Sequence, residues 1–199
     1  MLKIKSYVKV KSIAEAYELN QKKTACVLGG MVWLKMGNRN ISTAIDLSGL
    51  GLDTIQEFDD EFVIGCMTSL RTLETDERLQ EYTHGAIKES LRHIVGVQFR
   101  NCATVGGSIY GRYGFSDVLT MFLAMNTWVD LYDAGRIPLS EFVNIKKNND
   151  ILVNIIIKKE SLFTCYLSQR NTKTDFPVLT CAASLIGEEA RTVIGARPG

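Results

Sequence analysis

The sequence predicts a mixed α+β chain of two subdomains, and three observations lead there. Strand and helix signals run in the order β-α-β-turn-β and are complete before Leu50. A second α/β unit follows from "EFVIGC", where strand-like runs alternate with helical spacing. An apolar run in each unit also stops at adjacent glycines, "VLGG" at Gly29 and Gly30 and "TVGGS" at Gly106 and Gly107.

Each element has a local reason. "VKVKS" near the N-terminus alternates apolar and basic residues, the period of a strand. Ser12 caps the helix that follows: Glu15 stands three residues on, as in a capping box, and Ile13, Ala16 and Tyr17 share one face. Asn20 ends it. "TACVL" is a buried strand ending at the first glycine pair, and "TAIDL" is another, ending at Ser48 and Gly49. In the second unit "EFVIGC" is a strand and "SLRTLE" opens helical material. "YTHGAIKESLRHIV" sets Ile87, Leu91, Ile94 and Val95 at helical spacing, which predicts one amphipathic helix. A strand around Thr104 comes next, then the helix "SDVLTMFLAMN" opened by Ser116, then the strand "TWVDLYD". Late strands are predicted at "ILVNIIIKK", "FTCYL" and "LTCAASLI".

Composition narrows the function classes. The 199 residues are 46% hydrophobic and 23% charged, enough for a sizeable core. A net charge of +1, from 23 basic and 22 acidic residues, argues against a nucleic-acid binder. No 18-residue apolar stretch is present, so no membrane span is expected. Cys26, Cys66, Cys102, Cys165 and Cys181 are scattered and odd in number, which points to reduced thiols in a cytoplasmic protein. With no tight cysteine cluster and only His84 and His93, no metal site is expected.

The glycine pairs admit two readings. Without a Cβ, backbone N–H groups approach a phosphate closely, and Thr104 and Ser108 add hydroxyl donors. Neither pair fits GxGxxG before a helix or GxxxxGK[ST], so on spacing alone both could be structural turns.

Resemblance adds to this. "VLGGMVWLKMG" followed by "AIDLSGL" resembles the first flavin loop and next strand of the FAD-binding subunits of molybdenum hydroxylases. That family includes the medium subunits of bacterial xanthine dehydrogenase and aerobic carbon monoxide dehydrogenase. "QFRNCATVGGSI" is similar to its second flavin loop, and "IGCMTSLRTLE", "SDVLTMFLAM", "GRIPLSEF", "DILVNIII" and "SQRNTKTDFPVLT" follow the family order. The resemblance implies a two-subdomain FAD-binding fold, with subdomains at residues 1–55 and 56–160. Residues 161–199 would begin a third α+β domain, and "RTVIGARPG" resembles its opening. The segments "YDAGRIP" and "IGEEARTV" look a few residues short against the family.

By that resemblance Leu28, Gly29, Gly30, Met31, Val32 and Trp33 wrap the FAD pyrophosphate with backbone amides. Thr104, Val105, Gly106, Gly107 and Ser108 form a second clasp. Asp117 accepts a hydrogen bond from ribityl or ribose hydroxyls, or is simply an early-turn acid favoured by the helix dipole. Ile151 or Leu152 packs on the isoalloxazine ring, or is ordinary core. The chain departs from the family in several places. Met31 and Val32 stand where a hydroxyl or acidic residue is usual, and Ser108 where asparagine is common. No lysine precedes Arg170 in "CYLSQR", where Tyr166 lies instead. Arg170 matches the family's arginine, with a surface ion pair as its plain alternative.

The implied function is electron transfer. Iron–sulfur clusters of a partner subunit, fed by a molybdenum cofactor subunit, would pass electrons through non-covalent FAD to NAD or another acceptor. No cluster of its own is expected in this chain. A degenerate scaffold and a stand-alone flavin reductase of similar fold are the alternatives.

Overall fold

The structure is a computed structural model that describes residues 1–196; the end of "RTVIGARPG" lies outside the described residues. The chain opens with β1 (Lys3–Lys9), α1 (Ile13–Asn20), β2 (Ala25–Leu28) and, past a 3-10 turn at Leu34–Met36, β3 (Asn40–Asp46). These strands form a parallel sheet in the order β1-β3-β2. Parallel strands need crossovers: α1 carries the chain from β1 to β2 on the far side of β3, and the long glycine loop after Leu28 returns it to β3 between them. The Ser12 cap is present, its Oγ accepting from the Glu15 N–H at 3.1 Å. Glu15 in turn accepts from the Lys11 N–H at 2.8 Å, one residue before the usual partner in a capping box.

The middle of the chain holds β4 (Ile55–Glu57), β5 (Glu61–Gly65), α2 (Leu70–Thr75), α3 (Glu77–Tyr82), α4 (Ala86–Leu91), α5 (Val97–Cys102), α6 (Val105–Gly111) and α7 (Asp117–Ala124). It continues with β6 (Thr127–Leu131), β7 (Gly135–Pro138), α8 (Leu139–Phe142) and β8 (Leu152–Lys158). The strands form an antiparallel sheet, β4-β5-β8-β6-β7. Finally β9 (Leu162–Gln169), β10 (Leu179–Ile186) and β11 (Glu189–Gly195) make a three-stranded antiparallel sheet. Helix α6 packs on β8 and α7 on β6, while α4 packs on β9 and α7 also on β10 and β11. The helices thus fill the space between two sheets, around fully buried Phe62, Phe122, Phe142, Ile155 and Ile157. Among the described residues no helix is long and apolar enough to cross a membrane.

Two expectations need correction. The single helix over "YTHGAIKESLRHIV" is broken: α3 ends at Tyr82, and α4 covers only Ala86–Leu91. His84 (φ +50°) and Gly85 (φ +78°) are both left-handed, which a right-handed helix cannot absorb, and Val95 is left-handed again past its end. The strand around Thr104 is also replaced. Thr104 is the N-cap of α6, its Oγ1 accepting from the Gly107 N–H at 3.2 Å. The second glycine pair therefore sits in the first turn of a helix. The two segments that looked short close into tight hairpins through Gly135 (φ +71°) and Gly187 (φ +58°).

Candidate cofactor cleft

A cleft of about 760 Å³ opens beside the C-terminal end of β2, within the size range of small-molecule sites. The residues named from sequence all line it except Val105. Val105 is fully buried and its N–H donates to the Thr68 carbonyl at 2.9 Å, so it belongs to the core.

The first loop is shaped by contact with the second. A Cβ on Gly30 would stand 1.8 Å from the Cys102 carbonyl oxygen, and one on Gly29 would stand 2.8 Å from Thr104 Oγ1 and 3.9 Å from the Gly107 Cα. The two glycine stretches, far apart in sequence, touch. Met31 then turns left-handed at φ +57°, ahead of right-handed Trp33. Among the described residues, the N–H groups of Gly29, Gly30, Met31, Val32 and Trp33 reach no acceptor. A run of free amides around a left-handed bend is a concavity suited to an anion.

The second loop contributes differently. The Gly106 N–H donates to the Cys66 carbonyl at 2.9 Å, that of Gly107 to Thr104 Oγ1, and that of Ser108 to the Thr104 carbonyl at 3.2 Å. The Ser108 hydroxyl also bonds the Thr104 carbonyl. The α6 cap and the Cys66 carbonyl occupy these amides, and the glycines have separate duties. Gly106 is buried, its absent Cβ 2.5 Å from the Cys66 oxygen, whereas Gly107 is exposed toward the cleft. Thr104 Oγ1 accepts from Gly107 while its own proton has no acceptor among the described residues.

Asp117, the first residue of α7, is 5% exposed. Ser116 caps the helix, its Oγ accepting from the Leu119 N–H at 3.1 Å. Asp117 Oδ1 accepts from the Tyr166 hydroxyl at 2.5 Å and from Arg170 Nη2. Arg170 is therefore half of a buried pair, its side chain 7% exposed, and not a surface partner. Burial, reinforced by the Asp117 charge, pushes the Tyr166 hydroxyl well above the ordinary range and keeps it protonated as a donor. Ile151 and Leu152 are buried in the main core and also line the cleft.

Sequence reasoning named Trp33 but missed the other rings of the aromatic rim. Trp33 stacks on Phe176 at 5.4 Å between ring centroids, Phe99 meets the Trp33 edge at 6.0 Å, and Phe115 meets Phe176 at 4.7 Å. Phe99 lies in α5 and the other three rings on separate loops, so no shared period marks them as a group. Among the described residues no group of three or more His, Cys, Asp or Glu could hold a metal.

Comparison with known proteins identifies the family and the fold. The family model described as the FAD binding domain in molybdopterin dehydrogenase matches residues 2–159. No curated protein sequence matches the chain. Among solved structures, carbon monoxide dehydrogenase from Hydrogenophaga pseudoflava, in a form lacking the Mo-pyranopterin moiety, superposes with a TM-score of 0.82 at 22% identity. That match covers 96% of this chain and 74% of the other. Quinoline 2-oxidoreductase from Pseudomonas putida 86 gives 0.84 at 17% identity, over 98% and 74% of the two chains. Reconstituted carbon monoxide dehydrogenase from Oligotropha carboxidovorans gives 0.79 at 21%, over 98% and 73%. These likenesses establish a common fold.

The residues present fit the family's cofactor. Free amides at residues 29–33 suit a pyrophosphate, Gly107 leaves its approach open, and an apolar wall at Ile151 and Leu152 suits a flat ring. The chain belongs to the FAD-binding domains of molybdopterin dehydrogenases, a family of oxidoreductases, and FAD is its cofactor.

Proposed function

We propose that this chain is the FAD-carrying electron-transfer component of a molybdenum hydroxylase. It takes electrons from iron–sulfur clusters of a partner subunit, which a molybdenum cofactor subunit reduces, and passes them to NAD or another acceptor in the cytoplasm. The observation that carries the reading is the run of five free backbone N–H groups at residues 29–33, set against Thr104 and Gly107 in a chain of this family.

FAD, when bound, supplies both single-electron exchange and hydride transfer. The protein supplies position. Amides of Gly29 to Trp33 hold the pyrophosphate, the Thr104 hydroxyl adds a donor, and Asp117 accepts from sugar or ribityl hydroxyls. Ile151 and Leu152 exclude water from one side of the ring. None of these roles needs a general acid or base, consistent with a cleft whose only buried charged pair, among the described residues, is Asp117 with Arg170.

The test is the purified full chain. A yellow protein with equimolar FAD released by acid, no stoichiometric iron or sulfide, slow bleaching by NADH and no hydroxylase activity is expected. A colourless protein that takes up no added FAD would leave only a docking scaffold. Stoichiometric iron would contradict the dependence on a partner's clusters.

A further inference from the structure

We propose that Tyr166 and Arg170 are positioning residues for the cofactor: they hold Asp117 Oδ1 between them so that Oδ2 faces the cleft as the acceptor for a hydroxyl of the dinucleotide. The proposal rests on the function given above and names how its hydroxyl acceptor is held.

Both donors converge on a single oxygen. The Tyr166 hydroxyl reaches Oδ1 at 2.5 Å from the middle of β9, and Arg170 Nη2 reaches the same atom from just past the strand's end. Asp117 Oδ2 has no hydrogen-bond partner among the described residues, yet it is not a sealed, unsatisfied atom. Its open side is the cleft that Asp117 lines. A carboxylate with one oxygen fixed and the other open is a preset acceptor, needing no rotamer search when a hydroxyl arrives.

Each donor is itself braced. The Tyr166 hydroxyl lies against Thr180, whose own hydroxyl is 3.1 Å from that of Thr120, all within the buried seam between α7 and β10. Arg170 uses its whole fork: Nε donates to Ser168 Oγ at 3.3 Å and Nη1 to the Asp175 carbonyl. Asp175 precedes Phe176, the ring stacked on Trp33 of the anion-binding loop. One guanidinium thus ties the hydroxyl acceptor to the link carrying the aromatic rim. The planar fork is what makes both contacts together, so lysine replaces it only in part.

The test is FAD titration of the flavin-free full chain by flavin fluorescence, with inorganic pyrophosphate as a competitor. Tyr166→Phe should weaken FAD about tenfold, the scale of one hydrogen bond to a charged group. Arg170→Met should weaken it about thirtyfold, with Arg170→Lys recovering part of the loss. In an Asp117→Ala background, Tyr166→Phe should cost less than about twofold more, because its effect runs through Asp117. Pyrophosphate affinity should stay unchanged in Tyr166→Phe, with and without Asp117→Ala, since neither change reaches the loop at residues 29–33; a merely structural role would move it too. Wild-type FAD affinity in Tyr166→Phe, or a parallel loss of pyrophosphate, overturns the positioning role alone. A wild-type chain that binds no FAD overturns the function above and this proposal with it.

Discussion

Gly30 and Met31 are neighbours with opposite demands. Gly30 cannot carry a Cβ because the Cys102 carbonyl occupies that space, 1.8 Å from the ideal position. Gly30→Ala must push two backbone segments apart, and it should cost at least about 2 kcal/mol, on the scale of overpacking. A urea titration would measure this as a lower midpoint at unchanged slope. Met31 pays a left-handed penalty that glycine escapes. Met31→Gly should leave stability unchanged or raise it by up to about 1 kcal/mol. FAD affinity should be retained, because the loop acts through amides and not through this side chain. A large loss of FAD in Met31→Gly would mean that the methionine itself contacts the cofactor.

At the scale of elements, the second loop depends on a clamp between α2 and α5. Arg100 is 4% exposed and reaches both oxygens of Glu74, at 2.9 and 3.1 Å, while its Nη1 donates to the Ile94 carbonyl. This pair holds the end of α5 directly before Thr104, the cap of α6. Removing one partner leaves the other charge buried, so Glu74→Ala should cost about 3 kcal/mol. For a chain of this size that lowers Tm by about 6–12 °C in a thermal melt. Burial alone would raise the Glu74 carboxyl, but hydrogen bonds from Arg100 and Arg71 outweigh it and hold it below its ordinary range. The sign follows: its contribution is complete above the unfolded value, about 4.3, and is lost as pH falls through the lower folded value. Denaturant melts of wild type should therefore weaken below about pH 4 more steeply than those of Glu74→Ala.

The whole molecule meets at the cleft. The parallel sheet supplies the first loop, the helical layer supplies Thr104 and Asp117, the five-stranded sheet supplies Leu152, and the last sheet supplies the Tyr166–Arg170 brace. A ligand that touches all four should stabilise them as one unit. With FAD at 100 times its dissociation constant, the gain is about 2.7 kcal/mol, a rise in Tm of roughly 5–11 °C. Scanning calorimetry with and without FAD checks it. A melt in which FAD shifts only part of the transition would mean that the cleft spans fewer of these elements.

The sequence by itself determined the order of the β-α-β start, the Ser12 and Ser116 caps and the first glycine loop, because each rests on residues within a few positions. Period and capping are local physics, and they are written locally. Resemblance to a family carried the cofactor and the two glycine stretches that line the cleft. What only the tertiary structure decided is which polar groups are already spent. The amides of residues 29–33 are free while those of 105–108 are consumed, because Cys66, Thr68 and Thr104 supply acceptors to one loop and nothing supplies them to the other. Val105 looked like a cleft residue and is core for the same reason. Arg170 could have been a surface cation until Asp117, 53 positions earlier, met it inside the protein. A hydrogen bond across that separation leaves no period in the sequence; it exists only once α7 has packed on β10 and β11 beside it.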